Sequence, residues 1–254
     1  MSLALYRKYR PKNFDDLIGQ SYLVDVFRNA AKKKKLAHAY IFYGPRGTGK
    51  TTTARLVAKI ANCSSEDSLR KLGEPCNRCS VCREIDNGQA MDVIEIDAAS
   101  NRGIDEIRDL KNSIRLFPNS CRYKVFIIDE AHMLTKEAFN ALLKTLEEPP
   151  EHAILILATT EYEKIPATIS SRAQRFHFNK LSLADIIGKL KIIIAKEKFK
   201  ITNDATELIA SAAEGSLRDA ESLLDQVVSL SGEADLKVVE NIIGKVGFKR
   251  IADL

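Results

Sequence analysis

The sequence has no tryptophan and only 5 cysteines. It also contains no apolar run of about 18 residues, so neither a membrane-spanning helix nor a membrane partner is expected. The first residues, MSLALYRKYR, have no long apolar core, and a secretory signal peptide is therefore not expected either. We infer a cytoplasmic protein. In that reducing compartment, clustered cysteines hold metal more often than they form disulfides.

A strong charge of one sign is absent as well. The 254 residues are 45% hydrophobic and 29% charged, with a net charge of +5. This composition is typical of a globular protein, and it permits contact with nucleic acid without requiring it. The length allows one large domain or two smaller ones.

A glycine-rich stretch, GPRGTGKT at residues 44–51, lies between a predicted strand and a predicted helix. The strand, AYIFY at 39–43, is apolar and rich in aromatic residues. The helix TTARLVAKIAN follows, with apolar residues at helical spacing. Strand, glycine-rich loop and helix in this order favour a P-loop over a chance turn. The predicted nucleotide-binding residues are Gly44, Pro45, Arg46, Gly47, Thr48, Gly49, Lys50, Thr51 and Thr52.

The chemistry of a P-loop assigns roles to two of these residues. The glycines let backbone N–H groups point at the phosphates of ATP or ADP, and the positive helix end adds to that field. Lys50 is expected to reach the β- and γ-phosphates, and the Thr51 hydroxyl to bind Mg²⁺.

Polar residues follow two further predicted strands. KVFII at 124–128 ends in Asp129 and Glu130. We expect Asp129 to hold Mg²⁺ through water and Glu130 to orient the attacking water. The apolar run 153–158 ends in two threonines, of which Thr160 is a candidate contact to the γ-phosphate or the water. Strand-end capping is the alternative for these hydroxyls.

Strand and helix signals alternate up to about residue 180, which predicts an α/β fold with a parallel sheet covered by helices on both faces. One of these strands is predicted at Asp92–Asp97. Beyond this part the strand pattern disappears, and the predicted helices run at about 182–198, 203–213, 216–230 and 235–243. We expect an ATPase domain at 1–180 with an insert at 62–84, an all-helical lid at 181–244, and the start of a truncated following domain at 245–254.

Four cysteines, Cys63, Cys76, Cys79 and Cys82, have the spacing C-x12-C-x2-C-x2-C. A structural zinc ion takes four ligands in a tetrahedron, and an all-cysteine shell is a standard set. Buried free cysteines or a redox pair are the alternatives, and the two overlapping C-x-x-C units favour zinc over both. Cys121 lies far from this cluster in sequence and is expected to be an ordinary cysteine in a turn.

Eight segments, taken together, resemble one known family. In chain order they are YRKYRPKNFDDLIGQ, the P-loop, the four-cysteine insert, IIDEAHML, FNALLKTLEEPPEH, LATT, SSR and GSLRDA. Over about residues 3 to 248 the chain resembles the tau/gamma clamp-loader ATPases of bacterial DNA polymerase III. The resemblance implies an AAA+ fold and a pentamer of clamp-loader subunits. In that assembly ATP binding opens the ring-shaped sliding clamp, and hydrolysis releases the clamp on primed DNA.

The resemblance also implies roles for single residues. Thr160 matches the first sensor, Arg218 in GSLRDA the second sensor, and Arg172 the arginine finger. The finger motif reads SRA here, with alanine in place of the family's cysteine, and the arginine that carries the charge is kept. The residues that the resemblance places beside the adenine are Tyr9, Arg10, Pro11 and Ile18.

Alternatives remain for the two arginines and for the function. Arg218 has acidic neighbours on its helix, and Arg172 has loop carbonyls within reach. A nucleotide-binding scaffold without hydrolysis is a second functional interpretation, against which the intact P-loop and Asp129–Glu130 pair argue. A DNA-translocating motor is a third, and the four-cysteine insert argues against it. No polymerase carboxylate constellation is recognisable, so we expect a subunit that serves a polymerase without making DNA.

A DNA contact is predicted after the Asp92–Asp97 strand. Ser100, Asn101 and Arg102 lie there near the start of a helix, and helix N-termini bind phosphates well. In the resembling family this region faces the central channel. We therefore expect Arg102 to contact a template-strand phosphate.

Overall fold

The computed structural model of the protein describes the backbone of residues 3–101, 104–231 and 233–252, with side chains outside 104–109, 231 and 245–252. The chain divides into two compact units. The first, here called the sheet unit, consists of Pro11–Gly44 and Gly49–Phe178. The second, here called the lid unit, consists of Met1–Arg10, Pro45–Thr48 and Asn179–Leu254.

A five-stranded parallel sheet forms the centre of the sheet unit, in the order β2-β3-β4-β1-β5. The strands are β1 Ala39–Tyr43, β2 Val93–Asp97, β3 Lys124–Asp129, β4 Ala153–Thr159 and β5 Gln174–His177. The sequence predicted the first four of these to within one residue at each end. It did not predict β5, which is the edge strand beside β1.

Twelve α-helices are described: α1 Leu5–Lys8, α2 Ser21–Lys33, α3 Lys50–Asn62, α4 Glu66–Leu72, α5 Ser80–Asn87, α6 Ile104–Arg115, α7 Lys136–Glu147, α8 Ala167–Ser170, α9 Leu183–Glu197, α10 Asn203–Ala212, α11 Leu217–Ser231 and α12 Leu236–Ala252. Short 3₁₀ helices lie at Phe14–Asp16, Ala131–Met133 and Tyr162–Lys164.

Successive residues of the central strands point to opposite faces of the sheet, as the period of a strand requires. On β1, Tyr40 and Phe42 belong to one apolar cluster with Phe27 of α2. Ile41 belongs to the other cluster, with Leu142 of α7. Helices therefore cover both faces, and the predicted α/β architecture is confirmed.

The lid unit has its own core, which includes Leu190, Ile209 and Leu224 from three consecutive helices. Ser182 caps the first of these helices, α9, because its hydroxyl accepts the Asp185 N–H at 3.1 Å. The predicted helical lid is thus confirmed. The structure adds two short strands that the sequence did not indicate, β6 Lys200–Ile201 and β7 Glu233–Ala234, which pair in parallel.

Candidate nucleotide site and metal centre

The carboxyl ends of β3 and β4 place polar residues at one edge of the sheet. Thr51 is the second residue of α3, and its Oγ1 donates a hydrogen bond to Asp129 Oδ2 at 2.6 Å. These residues are 78 positions apart in the sequence. Because Mg²⁺ takes hydroxyl and carboxylate oxygens as ligands or holds them through water, the structure brings together the two residues predicted to hold this ion.

Backbone geometry explains two glycines of the P-loop. Gly44 has a φ of 141°, and a Cβ on it would lie 2.2 Å from the carbonyl oxygen of Phe178. Gly47 has a φ of 73°, and a Cβ on it would lie 1.9 Å from Ser216 Oγ. Both positions combine a left-handed backbone with a close approach, so a side chain at either would displace its neighbour.

Lys50 begins α3 and is only 6% exposed. Its Nζ donates a hydrogen bond to the Gly44 carbonyl oxygen at 2.8 Å. Burial lowers the pKa of Lys50, while the carboxylates of Glu130 and Asp129 act in the opposite direction and favour the ammonium form. A buried cation beside carboxylates, with a pKa moved by its surroundings, is typical of a functional site.

Glu130 is joined to Thr160, although the sequence places them after different strands. Thr160 Oγ1 donates to Glu130 Oε2 at 3.1 Å. Glu130 also has a φ of 47°, which is uncommon for a residue with a side chain. Such strain persists where surrounding contacts hold it, and it is found at catalytic positions.

Sequence reasoning missed His132 and Glu161, which lie beside Glu130. The His132 side chain is 8% exposed, and its Nε2 lies 3.1 Å from Glu161 Oε1. Its Nδ1 lies 3.0 Å from Thr159 Oγ1 and 3.5 Å from Glu130 Oε2. Both missed residues follow a strand end within three positions, which is the signal that would have found them.

Arg172 follows α8 and is bonded within its own sheet unit. Its Nη1 donates to the Thr168 carbonyl oxygen at 2.6 Å. This is the bonding to a backbone carbonyl that the sequence allowed as the alternative to an arginine finger. Its Nη2 also donates to Glu147 Oε1 at 2.8 Å, in an ion pair that the sequence analysis missed. The LEEPP segment that contains Glu147 offered no signal for this pairing.

In the lid unit, Arg218 lies over an aromatic ring. Its guanidinium carbon is 5.1 Å from the centre of the Tyr6 ring, within the range of a cation–π contact. The Tyr9 hydroxyl donates to the Glu197 carboxylate. Burial is the main cause that raises the pKa of Tyr9 to about 12, and this hydrogen bond adds to it.

The predicted site residues divide between the two units. Those in the lid unit are Tyr9, Arg10, Pro45, Arg46, Gly47, Thr48 and Arg218. Those in the sheet unit are Pro11, Ile18, Gly44, Gly49, Lys50, Thr51, Thr52, Asp129, Glu130, Thr160, Arg172 and the four cysteines of the insert.

The sulfur atoms of Cys63, Cys76, Cys79 and Cys82 all lie within 4.8 Å of one another. Zn–S bonds of about 2.3 Å require sulfur atoms roughly 3.8 Å apart, so small movements satisfy a tetrahedron. The backbone N–H of Cys76 donates to Cys63 Sγ at 3.3 Å, the kind of hydrogen bond that orients a metal-bound thiolate. The Cys82 thiol donates a hydrogen bond to the Cys63 sulfur, and this bond lowers the pKa of Cys63 to about 5. The cluster fits a zinc ion.

Two further predictions concern loops beside β2 and β3. Cys121 lies in a turn where its N–H donates to Asp92 Oδ2 at 2.9 Å. Burial raises the pKa of Cys121 to about 11, so this thiol stays protonated at neutral pH. Arg102, the predicted DNA contact, lies outside the residues that the structure describes.

Comparison with known proteins decides the family. The family described as "DNA polymerase III, delta subunit" matches residues 19–182, which is more than half of the chain. The chain belongs to this family of DNA polymerase III subunits. The description "DNA polymerase III clamp loader subunit, ATPase lid domain" matches residues 185–233.

The predicted resemblance to tau/gamma subunits is confirmed by individual relatives. The chain is 52% identical over 240 residues to DNA polymerase III subunit tau of Bacillus subtilis, covering 94% of this chain and 42% of that protein. It is 44% identical over 242 residues to DNA polymerase III subunit tau of Escherichia coli, covering 95% and 37%. The chain thus spans less than half the length of these relatives.

Solved structures support the AAA+ fold of this DNA polymerase III subunit. A proline-to-glycine mutant of Thermotoga maritima RuvB has a TM-score of 0.68 at 20% identity, covering 94% of this chain and 74% of that one. The T. maritima RuvB Holliday junction branch migration motor has a TM-score of 0.66 at 21% identity, covering 92% and 71%. An AAA+ ATPase fold implies a nucleotide and Mg²⁺. Over the described parts of the chain, every helix is too short or too polar to cross a membrane.

Proposed function

We propose that this chain binds ATP with Mg²⁺ and hydrolyses it as the motor subunit of the sliding-clamp loader of the DNA polymerase III holoenzyme. ATP binding lets a pentamer of clamp-loader subunits open the clamp, and hydrolysis releases the clamp on primed DNA in the bacterial cytoplasm. The observation that carries the proposal is the Thr51–Asp129 hydrogen bond at 2.6 Å. It pairs the P-loop hydroxyl with the strand-end carboxylate, the two groups that hold Mg²⁺ in P-loop ATPases.

The residues of the sheet unit divide the work of hydrolysis. Lys50 places its charge on the β- and γ-phosphates, and the P-loop N–H groups bind the β-phosphate. Glu130 orients the attacking water, and Thr160 holds the Glu130 carboxylate through the 3.1 Å hydrogen bond. Catalysis is then mostly positioning and electrostatic stabilisation, as phosphoryl transfer requires.

The remaining site residues act on the base, on the lid or on a neighbouring subunit. Tyr9, Arg10, Pro11 and Ile18 flank the adenine. Arg218 senses the nucleotide from the lid, and Arg172 acts as an arginine finger on the nucleotide of the adjacent subunit.

The metal and domain assignments complete the proposal. One Zn²⁺ is held by Cys63, Cys76, Cys79 and Cys82 in the insert at 62–84. The ATPase domain spans 1–180, and the lid spans 181–244. Binding of zinc by four thiolates stabilises the fold of the insert and takes no part in hydrolysis.

Steady-state phosphate release tests the function. An assembly reconstituted with the full-length protein should hydrolyse ATP faster when clamp and primed DNA are added, and Glu130→Gln should abolish that stimulated rate. If the assembly loads clamps while Glu130→Gln matches the parent rate, the chain is a nucleotide-binding scaffold. Strand displacement on branched DNA without any clamp would instead indicate a translocating motor.

A further inference from the structure

His132 lies between the proposed water-orienting glutamate and a second carboxylate. Its ring is almost buried, at 8% side-chain exposure. Nε2 faces Glu161 Oε1 at 3.1 Å, and Nδ1 faces Thr159 Oγ1 at 3.0 Å and Glu130 Oε2 at 3.5 Å. Both nitrogens are therefore directed at polar groups that lie at the end of β4 or just after β3 and β4.

The hydrogen-bond partners define the tautomer of His132. Glu161 presents a carboxylate, which only accepts, so Nε2 carries a proton and donates it. The Thr159 oxygen already accepts the Glu161 backbone N–H at 3.0 Å, so its hydroxyl proton is available to Nδ1. The ring is thus fixed at both nitrogens, and its orientation is set by β4 and the residues that follow it.

The fixed ring borders one oxygen of Glu130. Oε2 accepts the hydrogen bond of Thr160 at 3.1 Å and lies against His132 Nδ1 at 3.5 Å. Nδ1 carries no proton in this tautomer and does not donate to Oε2. The Thr160 hydroxyl therefore holds Oε2, and the His132 ring limits the space on its other side. The left-handed backbone of Glu130, with a φ of 47°, leaves its side chain dependent on such supports.

We propose that His132 is a positioning residue for hydrolysis: its fixed ring borders Glu130 Oε2 and keeps that oxygen at the Thr160 hydroxyl, so that Oε1 is presented to the attacking water. Glu161 acts through His132 by fixing the ring. The inference rests on the proposed ATPase function. It predicts that loss of His132 slows the chemical step without weakening the binding of ATP, since none of its partners is a P-loop group.

The test compares kcat and the Kd for ATP in assemblies of the full-length protein. His132→Ala should lower kcat about 10- to 100-fold, the usual cost of a misplaced catalytic group, and leave the Kd within about twofold. His132→Asn, which keeps a polar atom near Nδ1, should recover part of the loss. His132→Ala combined with Glu161→Ala should be no slower than His132→Ala alone, because Glu161 acts only through the His132 ring and has no effect once that ring is gone. His152→Ala is the matched control, since that ring bonds the Ile114 carbonyl oxygen away from this cluster.

Two results would overturn the proposal: an unchanged kcat in His132→Ala, or a Kd that rises as much as kcat falls. If the parent assembly does not hydrolyse ATP, or if Glu130→Gln hydrolyses it at the parent rate, the proposed function fails instead. The proposed orientation of the His132 ring can then still be tested by measuring its tautomer. Nitrogen NMR of the full-length protein should show the Nε2–H tautomer, and Glu161→Ala should release it; a ring that exchanges tautomers freely in the parent would contradict the geometry.

Discussion

Lys50 is the residue on which, in the proposed function, binding and chemistry both depend most. It is buried beside the P-loop, and Glu130 and Asp129 favour its charged form. Lys50→Ala removes that charge from the phosphates. ATP hydrolysis by the assembly should fall by about 10²–10³-fold, the usual loss when one electrostatic donor is removed, with helical content unchanged. Phosphate release and circular dichroism check this, Lys144→Ala on the surface of α7 is the control, and a parent-like rate would show that the P-loop assignment is wrong.

Glu221 on α11 has an unusual environment for an acid. It is 4% exposed, and its Oε1 has no hydrogen-bond partner among the described residues. Burial raises the pKa of Glu221 to about 7 from a reference value of 4.5, against the opposing charges of Lys189 and Arg10. Because the folded state binds this proton more tightly, the stability it contributes is complete below about pH 4.5 and is lost as pH rises through about 7.

Glu221→Gln should remove the loss of folding stability that the parent shows as pH rises. A tenfold change in proton affinity is worth about 1.4 kcal/mol, so the effect is at most about 3 kcal/mol. The variant should match the parent near pH 5 and exceed its free energy of unfolding at pH 8, as measured by urea titration. Glu207→Gln, on the exposed face of α10, is the control. A Glu221→Gln variant with the parent's pH dependence would mean that Glu221 is ionised in the fold.

Single residues differed in how well the sequence predicted them. The P-loop spacing and the strand-end acids predicted that Thr51 and Asp129 would meet, because parallel strands end at one edge of the sheet. His132 and Glu161 each follow a strand end, but their pairing, like that of Glu147 with Arg172, gave no signal. These partners are distant in sequence, and the pairing depends on tertiary packing that periodicity does not encode.

At the scale of elements, the four-cysteine insert is tied to the N-terminal part of the sheet unit by buried charges. Glu74 is 6% exposed and accepts the Phe14 N–H at 2.8 Å. Lys59 of α3, which precedes the insert, is fully buried; it donates to the Lys12 carbonyl oxygen at 2.9 Å and to Asp86 at 2.8 Å, in the helix α5 that begins inside the insert. Breaking one partner of such a buried pair is costly, so the insert and this segment support each other.

Zinc content and its loss test the insert. Metal analysis of protein purified without chelator should find about one Zn²⁺ per chain, the stoichiometry of a closed four-thiolate site. Removing the metal should speed hydrogen exchange of the insert and also of the Phe14 amide, since Glu74 loses its support. Amides of α9 and α10 should be unaffected and serve as the internal control. Protein without zinc would show that the cysteines have another role.

Elements with strong local signals were predicted best. Buried strands such as β1 are short apolar runs between clear breaks, and α9 begins at a serine cap. The edge strand β5 carries exposed polar residues and is defined by its pairing with β1, which a single segment does not reveal. The helices α4 and α5 were missed because the cysteine spacing predicted a metal-binding insert without indicating its secondary structure.

At the scale of the whole molecule, hydrolysis should need a neighbour. Within its own chain Arg172 is bonded to Glu147 and Thr168, and neither bond directs it toward Lys50 or Asp129. An arginine finger is worth roughly 10³–10⁵ in rate, or about 4–7 kcal/mol of barrier. The isolated chain should therefore bind ATP but hydrolyse it slowly at every dilution, as equilibrium binding and phosphate release can show.

The most direct test of the ATP-driven role is phosphate release from full-length assemblies of mixed subunits, with clamp and primed DNA present. Lys50→Ala subunits should be inactive at their own P-loop yet still stimulate a parent neighbour. Arg172→Ala subunits should bind ATP normally and fail to stimulate that neighbour, while Arg175→Ala subunits, changed at an exposed arginine of β5, should behave as the parent does. If the isolated chain already reaches the rate of the assembly, and Arg172→Ala slows it at high dilution, the arginine acts in its own site and the proposed shared mechanism is contradicted.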